Sequence, residues 1–444
     1  MVSLEARASI YSSAQRDTQA AIGEEGWRAS GNDQNFGNFF SRDSAICGLF
    51  RLHRVHNYLK QTEINSSGHD FLDHPDFKPV RDSLRTMARY QGTTVDLSRD
   101  ERRGKIPHEL RFWDTDKNIS RLQQLSNSRW PVDENGLRYY GAVDPTMLFV
   151  KDVCEYYLVS SDLAFFMELE PNLDSALSWI KKDGDSYGDG YIRYSADNRF
   201  ALLNQGWKDS LDSIEVLKNE RPREPIALVE VQGYTYMAYL SAAEAYRKRG
   251  SVGDLEKAKE LYQRAGALKV AFNRDFWVES KGYFAYALDG NNHQVNEITS
   301  NAGHLLMSGI VDDDKLPQVV SRLLESDMFT NGGIRTLSSN SEFFTQEHPA
   351  GYHRGTIWTH DNALIYLGLL SSGFLKEAIL VRDTIMEAQL VLCEKYGVIN
   401  AELHCCDENG NVIPYIQAQR PQTWVGEANL MMLDELEMQR LDSV

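Results

Sequence analysis

This sequence of 444 residues has no long apolar run. A membrane-spanning helix needs about eighteen consecutive apolar residues, and every apolar run here is much shorter. The first sixteen residues include Glu5, Arg7 and Arg16, and they contain no apolar segment of the length found in secretory signals. We therefore expect a soluble, cytoplasmic protein that has no membrane partner.

Positive charge is also scarce. The 47 lysines and arginines are outnumbered by 64 aspartates and glutamates, which gives a formal net charge of −17. An acidic surface repels phosphate backbones and anionic lipids, so we expect no nucleic acid as a partner. Neutral or cationic ligands fit this charge balance better.

Cysteine is sparse, with five residues at Cys47, Cys154, Cys393, Cys405 and Cys406. An odd number without regular spacing predicts no disulfide framework. The adjacent pair suits neither an ordinary disulfide nor a C-x-x-C knuckle, and nothing in the chain has zinc-ligand spacing. We expect no metal site and no other cofactor.

What the sequence does contain is a repeated pair of helices. Amphipathic helices with a charged outer face alternate six times with helices that are apolar on most sides. Apolar residues at three-four spacing in 255–272 predict one buried stripe, whereas 363–370 is apolar at nearly every position and needs cover on all sides. The amphipathic helices are predicted near 3–22, 78–90, 170–182, 254–275, 313–325 and 374–393. The apolar helices are predicted near 41–60, 143–159, 230–249, 299–309, 356–371 and 420–441.

This alternation predicts an all-α fold, an (α/α)6 barrel with six inner and six outer helices, in which one core serves residues 1–444 as a single domain. A helical solenoid is the alternative architecture. A solenoid needs a repeat of constant length, whereas the predicted inner helices begin at uneven intervals.

The long loops of the predicted barrel gather at one rim, because the segments that lead into the apolar helices are mostly long and those that leave them are mostly short. Long loops at one rim indicate a functional site. Polar residues open each apolar helix at that rim. Helix capping explains each of them singly, whereas six polar starts around one axis favour a pocket. These residues are Arg42, Asp43, Asp144, Gln232, Asn301, His304, His360, Asp361, Gln422 and Trp424.

One carboxylate in the third long loop, Asp209, follows Trp207 and Lys208 directly. An indole removes water and raises the pKa of a neighbouring carboxyl group, whereas a lysine lowers it, so such a group can be held near neutral as a proton donor. Trp207 also offers a flat apolar face on which a pyranose ring can stack. A buried Trp followed by a helix-capping Asp is the alternative interpretation of this triplet alone.

A second carboxylate, Glu402, lies in the sixth long loop, and loops three and six of a six-fold ring face each other. Two carboxyl groups about 6.5–9.5 Å apart leave room for a water beside a glycosidic bond and define an inverting hydrolase, whereas a retaining enzyme needs about 5 Å. We predict Asp209 as the general acid and Glu402 as the general base. Glu427, inside the last helix, is the rival for the base.

Four stretches, 104–109, 140–144, 204–210 and 351–365, together resemble the catalytic domain of amylo-α-1,6-glucosidase (glycogen-debranching) type proteins. They are also similar to glucosylglycerate and mannosylglycerate hydrolases and, more distantly, to glucoamylase. The resemblance implies an (α/α)6 barrel and an inverting attack on an α-glycosidic bond, with Asp209 as the acid and Glu402 as the base. It further implies a sugar subsite in which Arg42 and Asp43 hold hydroxyl groups, lined by His108, Tyr352, His353, Arg354 and Trp358.

The chain departs from this family at two motifs. Glu402 stands in Ala-Glu-Leu-His, where the family often has Pro-Glu-Leu-Phe, and Trp424 stands in Thr-Trp-Val, where the family often has Ala-Trp-Ala. The debranching proteins also carry an amino-terminal β-rich domain that we do not expect here. We therefore predict a small glycoside or oligosaccharide as substrate, an α-glucoside in first place, and keep branched polymer as the alternative.

Two other classes of function stay open. A sugar epimerase or isomerase can use the same barrel with paired histidines, for which His108, His304, His353 and His360 are available. A carbohydrate-binding protein without turnover is the second open class.

The loops 91–142 and 183–229 are long enough to fold over the ring opening, which favours a small substrate over a polymer.

Overall fold

The computed structural model describes residues 3–31, 37–62, 74–128, 130–196, 201–216, 220–347 and 351–434. The chain forms two compact units. We call the first the amino unit, which comprises Ala20–Asp209 and Met237–Gly266. We call the second the carboxyl unit, which comprises Met1–Gln19, Ser210–Tyr236 and Ala267–Val444. The single domain over residues 1–444 stays a prediction.

The described residues are mostly helical. The α-helices are α1 Leu4–Ala21, α2 Ser41–Thr62, α3 Phe77–Arg89, α4 Asp116–Asn127, α5 Asp144–Ser160, α6 Leu163–Trp179, α7 Val229–Arg249, α8 Asp254–Asp275, α9 Leu316–Leu323, α10 Thr359–Ser371, α11 Leu375–Tyr396 and α12 Thr423–Met432. Short 3₁₀ helices lie at Leu97–Arg99, Glu279–Lys281 and Ser300–Met307, and a π-helical turn, Ile180–Gly184, continues α6.

A helix is present at every predicted position, and the bounds differ most at the start of α6 and at the end of α12. Helix α6 begins at Leu163 rather than near 170, because Asp162 caps it and accepts the backbone N–H of Phe165 at 3.0 Å. The predicted helix 299–309 is the 3₁₀ helix Ser300–Met307. Helix α12 ends at Met432, whereas the prediction extends to 441; the residues from 435 onward lie outside the described ones.

Short strands occupy segments that the sequence analysis left as irregular loops, so that part of the prediction is wrong. The strands are β1 Ile22–Gly23, β2 Gly26–Trp27, β3 Phe39–Phe40, β4 Glu109–Arg111, β5 Val132–Asp133, β6 Gly136–Tyr139, β7 Ala227–Leu228, β8 Trp277–Val278, β9 Tyr283–Phe284, β10 Ala287–Leu288, β11 Gln294–Val295, β12 Phe329–Thr330, β13 Gly333–Ile334, β14 Ile357–Trp358, β15 Leu403–Cys406 and β16 Val412–Pro414.

Antiparallel sheets adjoin the starts of α2 and α10. In the amino unit the strand order is β3-β4-β6-β5, and β3 leads directly into α2. In the carboxyl unit the order β14-β15-β16 places the start of α10 beside the strand that follows Glu402. The segment 91–142 also contains α4, which the sequence analysis missed; Thr115 caps it by accepting the N–H of Asn118 at 3.2 Å.

Each unit has a helix that is buried along nearly its whole length. In the amino unit this is α5, which packs against α2 and α6. In the carboxyl unit it is α10, buried from Thr359 to Leu370, which packs against Ser300–Met307, α11 and α12. Both helices begin with polar residues, so polar side chains are held at the buried ends of apolar helices.

None of the helices in the described ranges combines the length and the apolarity that a membrane span requires. Within the same ranges, no group of three or more His, Cys, Asp or Glu side chains is arranged to hold a metal ion. The five cysteines are free thiols. Burial raises the pKa of Cys154 well above its usual value and that of Cys405 to about 11, so these two thiols are protonated at neutral pH.

We expect Gly368→Ala to lower the free energy of unfolding by about 2 kcal/mol, because an added Cβ overpacks a close helix contact. That Cβ would lie 2.5 Å from Leu306 Cβ and 2.8 Å from the backbone nitrogen of Met307. Gly266→Ala is the matched control, since Gly266 lies within α8 and its added Cβ would meet nothing within 4 Å. Thermal unfolding should show a lower Tm for the first variant and an equal or higher Tm for the second. Equal Tm values would contradict the packing argument.

Candidate active site

In the amino unit, the predicted site residues gather around the guanidinium of Arg42, in the first turn of α2. Arg42 Nε donates to Asp144 Oδ2 at 2.6 Å, and Nη2 donates to Asp144 Oδ1 at 3.1 Å. Nη2 also donates to the carbonyl of Gly206 at 2.8 Å. Both side chains are buried. The forked pair therefore fixes the starts of α2 and α5 to each other and to the segment that precedes Asp209.

Asp209 is the third partner of Arg42. Its Oδ2 lies 3.4 Å from Arg42 Nη1 and 3.9 Å from His108 Nε2. The Asp209 side chain is 31% exposed, whereas that of Asp144 is 0% exposed. Since Arg42 makes its shorter bonds to Asp144, Asp209 is the more weakly held carboxyl group and the one with an open surface.

The pKa of Asp209 depends on its burial and on two charged neighbours. Burial raises the pKa of its carboxyl group, the charge of Asp144 raises it further, and Arg42 acts in the opposite direction. His108 is neutral, because burial and the nearby cations hold its pKa well below the usual value. His108 therefore adds no positive charge beside Asp209.

Trp207 and Lys208, the sequence neighbours of Asp209, contact each other. Trp207 is buried, and Lys208 Nζ lies over its ring, 5.1 Å from the centroid. The principal influences on the pKa of Asp209 are burial, Arg42 and Asp144 rather than Lys208. Asp43 is buried as well. Burial alone would lower the pKa of Arg42, but the negative charges of Asp144, Asp209 and Asp43 raise it above its usual value.

In the carboxyl unit, five predicted residues form a continuous cluster of rings. His360 stacks on Trp424 with centroids 3.6 Å apart and planes at 12°. His353 stacks on Trp358 at 4.9 Å and 17°. Trp358 meets Trp424 edge-on at 6.0 Å, and Tyr352 meets Trp358 edge-on at 5.0 Å. Because these rings come from the starts of α10 and α12 and from the turn before β14, packed elements hold them in place.

The turn that holds Tyr352 and His353 is bonded to the segment that follows Asp209 in the sequence. His353 Nδ1 lies 2.9 Å from Ser210 Oγ and accepts the backbone N–H of Ser210 at 3.4 Å. Since that N–H can only donate, His353 Nδ1 carries no proton. Arg354 donates from Nη1 to Asp212 at 3.4 Å and from Nε to the carbonyl of Phe343 at 2.7 Å. Its Nη2 lies 3.8 Å from Glu215.

Glu402 directly precedes β15, whose Leu403 pairs with Trp358 of the ring cluster. Its backbone N–H donates to the carbonyl of Gln419 at 2.8 Å, and its Oε2 accepts the backbone N–H of Gln419 at 3.3 Å. Glu427, the rival, is 0% exposed within α12. Asp209 belongs to the amino unit and Glu402 to the carboxyl unit, so their predicted separation stays a prediction.

Two predicted site residues of the carboxyl unit make internal hydrogen bonds. Asp361 Oδ1 lies 2.7 Å from His304 Nε2, and His304 Nδ1 lies 2.7 Å from Tyr234 Oη. Gln232 Nε2 donates to the carbonyl of Leu228 at 2.9 Å, one turn earlier. The buried chain from Tyr234 to Asp361 fixes the first turn of α10, which carries His360.

Among the residues that contact predicted site residues, Ser210, Asp212 and Tyr415 are missing from the sequence prediction. The ring of Tyr415 lies 6.1 Å from that of Tyr352. Burial raises the pKa of Tyr415 to about 12, and the nearby charge of Asp212 contributes. Ser210 and Asp212 lie close to Asp209 in sequence, but their partners are far away in the chain. Only the fold shows these contacts.

Comparisons with known proteins show similarity to one family and to several solved structures. Residues 65–397 match the family described as the mannosylglycerate hydrolase MGH1-like glycoside hydrolase domain. Among similar solved structures is the GH63 mannosylglycerate hydrolase from Thermus thermophilus in complex with Tris and D-glycerate, at 14% identity and a TM-score of 0.60, covering 96% of this chain and 99% of that chain. The same hydrolase in complex with glucose has 14% identity and a TM-score of 0.61, covering 95% and 99%.

A further similar structure is an uncharacterized conserved protein from Thermus thermophilus, at 13% identity and a TM-score of 0.61, covering 95% of this chain and 99% of that chain. At these identities the likeness concerns the fold. No curated protein sequence matches the chain.

Proposed function

Because the chain belongs to the mannosylglycerate hydrolase MGH1-like glycoside hydrolase domain family and is therefore a glycoside hydrolase, we propose that it cleaves the α-glycosidic bond of a small glycoside with inversion. The observation that carries the proposal is the environment of Asp209. Its pKa is raised mainly by burial, its partner Arg42 is bonded more tightly to Asp144, and part of its surface is open. A general acid for a glycosidic oxygen needs these properties.

The proposed arrangement of the helices is an (α/α)6 barrel. The alternation of amphipathic and apolar helices supports it, as do the burial of α5 and α10 and the likeness to the Thermus thermophilus structures. The free cysteines fit the reducing cytoplasm in which we propose that the enzyme acts.

In the proposed reaction, Asp209 gives its proton to the glycosidic oxygen as the bond to the anomeric carbon breaks. Glu402 takes a proton from a water molecule whose oxygen attacks the same carbon from the opposite face, so the configuration inverts. The backbone N–H of Gln419 supports the carboxylate form of Glu402. We propose Trp207, Trp358 and Trp424 as sugar-binding residues.

The other residues of the predicted sugar subsite keep binding or positioning roles in this proposal. Arg42 and Asp43 hold sugar hydroxyls, and the ring cluster of Tyr352, His353 and His360 lines the sugar. An α-glucoside is our first choice. An α-mannoside is the second, because a mannosylglycerate hydrolase is among the similar structures.

The family favours hydrolysis over the epimerase alternative, and the histidines agree. His108 is neutral through burial, and His353 Nδ1 accepts hydrogen bonds from Ser210. His304 is bonded at both ring nitrogens, to Tyr234 and Asp361. These histidines are therefore engaged in the structure, whereas Asp209 has open surface.

The stereochemical outcome tests the mechanism. We expect the sugar released from an α-glucoside or α-mannoside to appear first as the β-anomer, because water attacks from the face opposite to the leaving group. Proton NMR spectra recorded within the first minutes, before mutarotation, show which anomer forms. An initial α-anomer would contradict inversion and the roles of both carboxylates.

The fold of segment 91–142 supports the proposed preference for a small substrate. This segment folds as β4, α4, β5 and β6 around its own small core, so it can form a fixed wall. Trp130 and Tyr139 pack in or against that core, which makes these two aromatics structural. The core residues are Leu122, Leu125, Leu137 and Tyr139.

A wall beside the site would exclude chain-like substrates and keep water from the bond to be cut. We therefore expect kcat/KM for a small glycoside such as glucosylglycerate or isomaltose to exceed that for glycogen by about a hundredfold or more, the scale of about 2.7 kcal/mol. Competition between the two substrates measures the ratio. Equal or faster hydrolysis of glycogen would make debranching the better proposal.

A further inference from the structure

We propose that a cavity in the amino unit is a second binding site, which takes a neutral monosaccharide. The cavity lies between the β1–β2 turn, which carries Glu24, the end of α3, which carries Arg89 and Tyr90, and Phe112, which follows β4. Its volume is about 300 Å³, at the lower end of the range of about 300–1,000 Å³ for small-molecule sites. The proposal uses neither carboxylate of the proposed reaction.

Packed elements hold the walls of this cavity in place. The β1–β2 hairpin lies against α3, where Trp27 donates its backbone N–H to Ser83 Oγ at 3.1 Å. Gly26 allows this close approach, because its φ is 100° and an added Cβ would lie 2.0 Å from Ser83 Oγ. At the end of α3, the carbonyl of Tyr90 accepts the hydroxyl of Tyr140 at 2.7 Å. The cavity is therefore preformed rather than assembled by the ligand.

The charges that line the cavity favour a neutral ligand. Three of its charged side chains already have an ion-pair partner, in the pairs Glu25–Arg28 at 3.6 Å, Asp82–Lys78 at 2.6 Å and Arg85–Glu168 at 2.7 Å. The other two, Glu24 and Arg89, form no ion pair within the part of the chain that the structure describes. Their charges are opposite and cancel, so an anion that binds Arg89 also meets the repulsion of Glu24.

The same lining offers the groups that bind a sugar. Tyr90 and Phe112 present aromatic rings with centroids 5.7 Å apart and planes at 50°. The face of an aromatic ring carries negative charge and attracts the positively polarised C–H groups of a sugar. Arg89 offers N–H donors and Glu24 offers carboxylate acceptors, and sugar hydroxyls both accept and donate. Aromatic faces beside one donor and one acceptor group suit a monosaccharide better than a purely apolar ligand.

The cavity is distinct from the surroundings of Asp209. His108, whose Nε2 lies 3.9 Å from Asp209, precedes β4, whereas Phe112 follows that strand. A strand rises about 3.3 Å per residue, so the Cα atoms of these two residues are about 13 Å apart. A sugar in the cavity would therefore bind in addition to a substrate beside Asp209 and not in place of it.

Hydrogen–deuterium exchange with D-glucose and D-mannose as probes tests the proposal. We expect at least one of these sugars, at about 50 mM, to slow exchange in segments 22–28 and 82–92 with a Kd of about 1–10 mM, the scale for a hexose in an open site. Each protein is compared with and without sugar, so a change in its own exchange does not affect the result.

Variants of the lining locate the bound sugar. Tyr90→Ala should raise the Kd about tenfold through the lost ring, while the backbone bond to Tyr140 remains. Arg89→Gln and Glu24→Gln should each raise it severalfold through weaker hydrogen bonds. Arg121→Gln is the matched control, because Arg121 is exposed in α4 of the same unit and does not line the cavity. Its Kd should be that of the parent protein.

Unchanged exchange in both segments with either sugar would overturn the proposal. Protection that persists in Tyr90→Ala and Arg89→Gln would also overturn it, because the sugar would then bind elsewhere. Tighter binding of glycine betaine, a zwitterion, or of D-glycerate, an anion, than of both sugars would replace the neutral ligand with an ionic one. None of these measurements involves turnover, so this proposal and the proposed function can fail independently.

Discussion

Asp209→Asn and Glu402→Gln should each lower kcat by roughly a thousandfold with the fold intact, since a positioned acid or base contributes about 10²–10⁴. Asn and Gln keep the shapes of the side chains but cannot transfer the proton. The measurement is kcat on the best small α-glycoside, with thermal unfolding to show that each variant is folded.

The two roles can be separated by the leaving group. A glycosyl fluoride or dinitrophenyl glycoside needs no protonation, so Asp209→Asn should recover much of its activity on such substrates, whereas Glu402→Gln should not. Glu427→Gln is the control and should cost far less, because Glu427 is fully buried within α12. If Glu427→Gln abolishes activity while Glu402→Gln is mild, the base is Glu427.

The helices could be predicted because their apolar patterns are long and regular. The sequence placed α8 at 254–275, and the structure has it at Asp254–Asp275. The start of α6 was harder to find, because it depends on one capping hydrogen bond from Asp162 rather than on a period. Two-residue strands such as β14 are too short to show the apolar–polar alternation that predicts a strand, so the sequence analysis missed the sheets.

The members of the site could be predicted more readily than their partners. Arg42, Asp144 and Asp209 were each singled out, yet the prediction explained the pKa of Asp209 by its sequence neighbours Trp207 and Lys208. In the structure the charges that act on it come from Arg42 and Asp144, which are distant in the chain. Propensity and spacing describe neighbours along the chain, whereas the electrostatics of a buried carboxyl group depends on neighbours in space.

His353 and Ser210 show the same limit. His353 was predicted to line the sugar subsite, and the structure bonds it to Ser210, the residue after the proposed acid. The resemblance to known families named His353 but gave no reason for Ser210. A serine beside an aspartate is common in turns, so its sequence context carries no signal of a partner 143 residues away.

Replacing Arg42 should have two separable effects, on stability and on the pH dependence of activity. Arg42→Gln leaves the fully buried carboxylate of Asp144 without its counterion, and we expect the free energy of unfolding to fall by about 3–5 kcal/mol. Arg42 also lowers the pKa of Asp209, so its removal should raise that pKa further. An acid must be protonated to act. The high-pH limb of the kcat/KM profile should therefore move to higher pH in the variant.

Two further variants control for these effects. Arg42→Lys keeps the charge but not the forked geometry, so its high-pH limb should stay near that of the parent protein even if the enzyme is slower. Arg382→Gln removes another buried arginine, which donates to Asp383 at 2.9 Å in α11. It should lower stability without moving the limb. Urea unfolding and kcat/KM measured across the pH range give both quantities. If the limb stays in place in Arg42→Gln while the protein is folded, either Arg42 does not tune Asp209 or Asp209 is not the group whose ionisation ends activity.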